Sequence, residues 1–363
     1  MQTTKTAKID LPRIGTTGLG ALLVAGLTIL AWWLTQRVYG LSLPGGIPGK
    51  ALEYPIWAVL VGLLGNLALK LTQTHEKIKA GIQTELFLKT GLVLMGAGIN
   101  LALMASTAVG ATVQALIMIP SVFFFTYWLA GKFGLEDRLR AVMGTALSVC
   151  GVSAAIAAAG SVSARKEQVA YVIGLVILVA LPLMLILPLL AGALGLSQVV
   201  AGAWFGGNID TTAAVVGAGT LFGEQAQKIA TIVKSAQNAL IGVVAFLLAV
   251  YAATHGEDGK PGARPSPRMI WDRFPKFVLG FVAASILYTL GVIDGGKGTL
   301  IETIKNWAFM AAFVCMGLEF SVIEFKKMGW KPVAVFLLAT LFNTLLALGV
   351  AYVIFTFLLP VAA

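Results

Sequence analysis

From Gly18 almost to the C-terminus, apolar runs of roughly 20 residues follow one another with short charged gaps between them. Each run is long enough to cross a hydrocarbon core of ~30 Å. Inside that core there is no water to pair with backbone N–H and C=O groups, so each run must satisfy its own backbone as a helix. The composition agrees: 58% of residues are hydrophobic, only 12% are charged, and the mean hydropathy is +0.90. Soluble chains carry about 25% charged residues. The expected fold class is all-α integral membrane, with about 9–11 transmembrane helices.

Two segments depart from this pattern and resemble each other. Ser148-Val149-Cys150-Gly151-Val152-Ser153-Ala154 leads into alanines and ends at Gly160, and Gly207-Asn208-Ile209-Asp210-Thr211-Thr212-Ala213 does the same to Gly219. Both begin with small and hydroxyl residues that break a helix. Non-helical backbone at membrane depth is tolerated only where protein or a water-filled cavity satisfies it. A matched pair of interrupted segments is the best sequence pointer to the binding site of a secondary transporter.

The spans read as Gly18–Gln36, Pro55–Thr72, Glu85–Ser106, Val109–Gly131, Glu167–Ala193, Ala226–Ala253, Pro275–Val292, Thr303–Val322 and Pro332–Leu358, with the interrupted segments at 139–162 and 198–222. This divides the chain into an N-terminal tail at 1–17, a membrane bundle at 18–253, a linker at 254–272 and C-terminal membrane helices at 273–363. The linker holds Gly256, Gly259, Pro261, Gly262, Pro265 and Pro267 among charges, a turn-rich composition.

The net charge of +10 comes from Lys and Arg in the gaps. Basic gaps hold Lys77 and Lys79; Lys132, Arg138 and Arg140; Lys260, Arg264, Arg268, Arg273 and Lys276; and Lys326, Lys327 and Lys331. Placed in the cytoplasm together with the basic N-terminus, they follow the positive-inside rule. The gaps at Ser106–Ala108 and Gly195–Ser197 carry no charge. No basic face is interleaved with aromatics, so nucleic acid is not an expected partner. An apolar stretch as long as Gly18–Gln36 reads as a retained helix, since a cleaved signal has an apolar core of only about 7–15 residues. Arg165 and Lys166 bear on topology: they are cytoplasmic if the first interrupted segment re-enters, and outside if it crosses. Charge favours two re-entrant hairpins plus nine spans over eleven spans.

Weak internal repeats point the same way. Tyr54-Pro55-Ile56-Trp57 opens a span as Phe274-Pro275-Lys276-Phe277 does, and Met95-Gly96-Ala97-Gly98-Ile99-Asn100 recurs as Met316-Gly317-Leu318-Glu319-Phe320-Ser321. Inverted repeats are the construction of many secondary transporters.

Asp210 is the most telling ionisable residue, because a charge at the membrane centre costs at least ~2.5–3.5 kcal/mol on insertion scales. Its two compatible readings are a site for a coupling proton or Na⁺ and an N-cap for the helix that follows. Cys150, Gly151, Val152 and Ser153 form the opposing tip, where the N-terminus of an alanine-rich half-helix suits an anionic group; tight helix packing is the alternative reading. Lys234, Gln237, Asn238 and Ile241 share a helix face. Lys234 either meets substrate or Asp210, or snorkels to the interface. The candidate substrate-binding set is Cys150, Gly151, Val152, Ser153, Gly207, Asn208, Thr211, Thr212, Lys234 and Asn238, with Asp210 as the ion-coupling residue.

Glu319 and Asn100 read as polar groups at helix ends. Trp32, Trp33, Trp204 and Trp307 read as interfacial anchors, and Glu85, Lys89 and Lys70 as headgroup-level residues. Cys150 and Cys315 lie in apolar segments, which speaks against a disulfide framework. His75 and His255 lie in charged loops, which speaks against a histidine metal site. With no P-loop and no catalytic constellation, neither ATP drive nor an enzyme is expected, and no cofactor is expected apart from a coupling H⁺ or Na⁺.

The segments Cys150-Gly151-Val152-Ser153-Ala154, Lys166-Glu167-Gln168-Val169-Ala170, Asp210-Thr211, Ile229-Ala230-Thr231-Ile232-Val233-Lys234, Met316-Gly317 and Gly329-Trp330-Lys331-Pro332 together resemble the YeiH-type family of sulfate exporters. The resemblance runs from about Tyr54 to Phe357. It implies a bacterial inner-membrane secondary transporter with inverted repeats and an anionic sulfur-containing substrate. Ile209 stands where the family pattern has His, and Gln237 where it has Arg. Both replacements remove a cation from the implied site and widen the implied substrate to a small anion or zwitterion. The expected function is alternating-access transport of such a solute, with the N-terminus cytoplasmic and a homodimer as a further expectation. A passive anion channel and a small-carboxylate or zwitterion transporter are the alternatives.

Overall fold

The computed structural model describes residues 11–39, 42–43, 47–48, 53–255, 266–293, 295–320 and 329–361. The N-terminal tail to Asp10, most of the linker, and the stretch holding Lys326 and Lys327 lie outside the described residues. Among the described residues the elements are helical, apart from a two-residue antiparallel pairing of Ser42–Leu43 (β1) with Ile47–Pro48 (β2). Six helical stretches among the described residues are long and apolar enough to cross a membrane. The described residues divide into two compact units, Met1–Gly91 with Asn306–Phe320, and Leu92–Lys305 with Ser321–Ala363.

The first unit contains α1 (Leu11–Tyr39), α2 (Tyr54–Leu71), α3 (His75–Ile78), the start of α4 (Thr84–Gly96) and, from further along the chain, the end of α15 (Gly295–Leu318). Pro55 sits in the first turn of α2, where its missing N–H has no helical partner to lose. A Cβ at Gly317 would meet the Val59 carbonyl at 2.6 Å, so α15 ends directly on the backbone of α2. Asn66 donates to the Gly317 carbonyl at 3.4 Å and Lys70 to that of Phe320 at 3.0 Å. These bonds satisfy carbonyls that the end of a helix leaves open.

In the second unit, α14 (Phe277–Thr289) repeats this arrangement with the end of α4. Gly96 abuts the Phe281 carbonyl. Ser285 donates to the Ile99 carbonyl at 2.7 Å, and Thr289 accepts the Leu101 N–H at 2.8 Å. The aromatic-Pro helix of each repeat therefore packs on the Met-Gly break of the other repeat.

The second unit continues as α5 (Leu101–Lys132), α6 (Asp137–Ser148), α7 (Val152–Val162), α8 (Lys166–Ala193), α9 (Gln198–Asn208), α10 (Thr212–Phe222), α11 (Glu224–Ala239), α12 (Ile241–His255), α13 (Arg268–Arg273) and α16 (Trp330–Val353). Several boundaries differ from those read in the sequence: α1 begins at Leu11 and α15 at Gly295, ahead of the starts read at Gly18 and Thr303. The uncharged Ser106–Ala108 gap lies inside α5, and the break falls instead at 97–100. Gly96 ends α4, Gly98 lies within the break, and Asn100 caps α5 by accepting the Ala102 N–H at 2.7 Å. Ser106 and Thr112 bond back to carbonyls of their own helix, so small polar residues alone do not stop it. The run 226–253 breaks at Leu240 into α11 and α12. The end of the linker is helical as α13, with the Ile270 carbonyl seated on Gly242 of α12.

Both interrupted segments are re-entrant hairpins. Arg138 at the start of α6 donates to the Ser163 carbonyl after α7 at 3.3 Å, and Glu136 is bridged by Arg165 at 2.6 Å and Gln168 at 2.9 Å. The chain thus returns to the end it entered from. The Gln198 carboxamide oxygen at the start of α9 likewise accepts the Gln225 and Ala226 N–H groups, at 3.0 and 3.2 Å, just after α10. α8 connects the two hairpins. Its 28 residues extend about 42 Å, so the hairpins enter from opposite ends of this unit.

Candidate functional site

The α6–α7 turn runs through Val149, at φ −124° and ψ −85°, to Gly151 at φ +51°. That left-handed conformation suits glycine. A Cβ there would lie 2.5 Å from Val176 of α8 and 3.3 Å from the Asp210 carbonyl oxygen. Gly151 is therefore a point where the first hairpin touches both the second hairpin and the helix joining them. The second tip breaks by extended backbone, with Ile209 at φ −70° and ψ 129° and Thr211 at φ −100° and ψ 135°.

Each of the last three residues before Cys150 presents its carbonyl to a polar side chain. Asn343 donates to Leu147 O at 3.4 Å, Gln237 to Ser148 O at 2.9 Å, and Lys234 to Val149 O at 2.6 Å. Lys234 also donates to Gln237 Oε1 at 2.8 Å. The C-terminal end of a helix carries partial negative charge, and here a buried ammonium ion meets it. Lys234 is only 1% exposed, which rules out snorkelling.

The second tip is bound to the same helices. Asn343 donates to Asn208 O at 3.0 Å, so this amide joins both tips. Thr344 donates to Asn208 Oδ1 at 3.1 Å, and Trp204 donates its indole N–H to Thr344 O at 2.9 Å. Asn238 donates to Thr212 Oγ1 at 3.1 Å. Thr211, not Asp210, caps α10 by accepting the Ala214 N–H at 3.3 Å. Asp210 is buried, and its Oδ2 has no hydrogen-bond partner among the described residues. Asn208 Nδ2 and Asn238 Oδ1 are in the same position. Asp210 and Lys234 lie within electrostatic reach of each other.

The candidate residues therefore fall around one crossing. Cys150 and Ser153 are partly exposed there, beside Val152 at the start of α7. Thr211 and Thr212 open α10. Gly207 packs against the Gln114 carboxamide of α5, which itself donates to Ala203 O at 3.0 Å. Sequence reasoning missed Asn343, Thr344 and Gln114. Each is a polar residue in an apolar span, the same signal that singled out Asp210. It also misplaced Trp204, which is a 2% exposed post against α16 and not an interfacial anchor; its indole N–H finds its partner inside the protein. Trp32 stacks on Trp307 with ring centroids 5.9 Å apart, and Trp33 is exposed. Glu319 follows the last turn of α15 near Thr84 and Lys79, and Glu85 pairs with Lys89 at 2.9 Å in an exposed position. No cluster of three metal-ligating side chains occurs among the described residues.

Six apolar spans and two opposed re-entrant hairpins define a multi-pass membrane protein with a polar crossing buried in one unit. The chain belongs to the family described as conserved hypothetical protein 698, the YeiH-type group, whose model matches residues 19–337. It is 36% identical over 342 residues to a UPF0324 membrane protein of Rhodopirellula baltica, covering 91% of this chain and 61% of that one. A UPF0324 membrane protein of Nitratidesulfovibrio vulgaris is 34% identical over 369 residues, covering 97% and 61%. The UPF0324 membrane protein TauZ of Paracoccus pantotrophus is 27% identical over 297 residues, covering 80% and 86%. The chain thus spans about three fifths of the length of the first two of these relatives. No solved structure matches it.

Proposed function

We propose that this protein is a secondary active transporter for a small anion, a sulfur oxyanion or sulfonate first among them, and that its solute binds where the two hairpin tips cross. The observation that carries this reading is the polarity of the crossing. The C-terminal carbonyls of α6 are occupied by Lys234, Gln237 and Asn343, whereas α7 begins in the Cys150–Ser153 stretch, and Gly151 there lies against Asp210, just before the start of α10. Helix N-termini favour anions, and facing half-helices at the midplane are how many transporters hold them. Asp210, buried with an unpaired oxygen, takes the coupling H⁺ or Na⁺. In this reading the unit carrying the hairpins exposes the crossing alternately to the two sides. The end holding Lys132, Arg138, Arg165 and Lys166 faces the cytoplasm of a bacterial inner membrane, with the N-terminus on that side.

The test is counter-flow in proteoliposomes with sulfate, sulfonates, thiosulfate and small carboxylates, with and without a Na⁺ or pH gradient. Saturable uptake driven by trapped solute and by one of the two gradients supports the reading. Non-saturable flux without counter-flow is the behaviour of a channel and overturns it.

A further inference from the structure

The two hairpins treat their inward helix ends differently. Both α6 and α9 stop at the crossing, and each brings the partial negative charge of a helix C-terminus to it. A fixed cation serves the first end, where Lys234 donates to Val149 O. At the second end the partners of Asn208 are Asn343 and Thr344, both neutral, and the next ionisable residue along the chain is an acid, Asp210. Asp210 Oδ2 and Asn238 Oδ1 are buried there without a hydrogen-bond partner among the described residues.

These two oxygens end a longer file. α10 and α11 run side by side: a Cβ at Gly219 would stand 2.5 Å from Gln227 Cα, Gln227 donates to Thr220 Oγ1 at 2.7 Å, and Asn238 donates to Thr212 Oγ1 at 3.1 Å. Gln227 and Asn238 therefore both face α10, and Thr231 and Ser235 lie between them on the same stripe of α11. Both are buried, at 0% and 4% exposure, and neither hydroxyl has a partner among the described residues. Buried hydroxyls elsewhere in the unit, at Thr126 and Thr145, bond back to the carbonyl one turn earlier in their own helices. Ser235 stands three residues before Asn238, so the two side chains are neighbours on the helix surface. One carboxylate among neutral oxygens suits a small monovalent cation better than a divalent ion, which takes more ligands and more charge. We propose that Na⁺ binds at Asp210 Oδ2, Asn238 Oδ1 and Ser235 Oγ, reached past Thr231 from the end where the second hairpin enters. The site rests on the reading of the crossing as a transport site and names its coupling ion. A proton would occupy Asp210 alone and leave the neutral oxygens of the file unmet. Lys234, within electrostatic reach of Asp210, opposes the cation and keeps it exchangeable.

Thermal unfolding of the full-length chain in detergent tests this, titrated with NaCl at fixed pH and at an ionic strength held constant with choline chloride. A saturable rise in Tm is expected with Na⁺ and is absent with K⁺. Asp210→Asn abolishes the rise. Ser235→Ala removes no bond within the protein, so its Tm without Na⁺ matches wild type. Its Na⁺ midpoint rises about ten-fold, the size of one lost contact to a charged group. Thr231→Val, on the approach, slows the binding of radiolabelled Na⁺ and leaves the midpoint in place. A wild type with no Na⁺ response, an equal response to K⁺, or a Ser235→Ala midpoint equal to wild type overturns the proposal. Saturable counter-flow driven by a pH gradient, in a protein with no Na⁺ response, sinks the Na⁺ site and leaves the transporter reading standing. A Na⁺ response without counter-flow does the reverse.

Discussion

The Lys234 ammonium donates to the Val149 carbonyl at 2.6 Å, so a buried cation of α11 closes the end of a half-helix 85 positions earlier in the chain. This bond ties the first hairpin to the helix that follows the second. Losing it leaves a buried carbonyl without its partner. Lys234→Met is therefore expected to lower stability by about 1–3 kcal/mol and to abolish solute flux. Thermal unfolding in detergent measures the first effect and proteoliposome uptake the second; a variant with wild-type stability would show that the cap is dispensable.

Asp210 predicts the opposite split. Its Oδ2 has no partner to lose, so Asp210→Asn is expected to fold and insert with stability within about 1 kcal/mol of wild type, the range of an ordinary neutral replacement, while ion-coupled transport disappears. Unchanged ion-dependent flux would remove Asp210 from the mechanism.

Asn343 holds both tips at once, to Leu147 O and Asn208 O. Asn343→Leu keeps the volume of the side chain but leaves both carbonyls unpaired. The expected cost is about 1–3 kcal/mol for each carbonyl so stranded, together with loss of transport. Hydrogen exchange at the two tips is the discriminating measurement: protection should fall at 147–151 and 208–212 together. A fall at one tip alone would contradict the bridging role.

Gly151 combines a left-handed φ of +51° with Val176 2.5 Å from where a Cβ would stand. Gly151→Ala is expected to destabilise by about 1–3 kcal/mol from the backbone conformation, with a further cost from the overlap. Adding Val176→Ala should relieve only the overlap, so a double variant more stable than Gly151→Ala but less stable than wild type is expected. Full recovery in the double variant would mean the backbone carries no strain.

Hairpin topology makes a labelling prediction. In a chain without its native cysteines, probes at Glu136→Cys and Lys166→Cys should react with an impermeant thiol reagent from the same side of the membrane. Ser197→Cys and Glu224→Cys should both react from the other side. Opposite reactivity within either pair would mean that the segment crosses and does not return.

Much of this was legible in the residues because transfer into a bilayer is a property of local composition. The apolar runs placed α2, α8 and α16 to within a few residues, and the two small-residue interruptions fell on the observed breaks. The weight of Arg165 and Lys166 favoured re-entry, and their neighbours Glu136 and Gln168 close that hairpin. The start of α5 was misread because alanine, serine and threonine in sequence look like a loop, yet their hydroxyls bond back to their own helix and cost it little. Asn343 and Thr344 drew no attention. A polar pair in an apolar run carries no sign of what it will meet, and their partners lie more than 130 positions away.

Composition and local pattern alone thus show a membrane chain, the breaks at the two hairpin tips, and the charged groups that had to be hidden. Only the tertiary structure decided how those groups are paired: Lys234 and Gln237 on the carbonyls of α6, Asn343 across both tips, and Trp204 turned inward onto α16. The physical reason is that hydrophobic transfer acts on each segment separately. A hydrogen bond between buried polar groups exists only where two segments distant in the chain are brought within about 3 Å of each other.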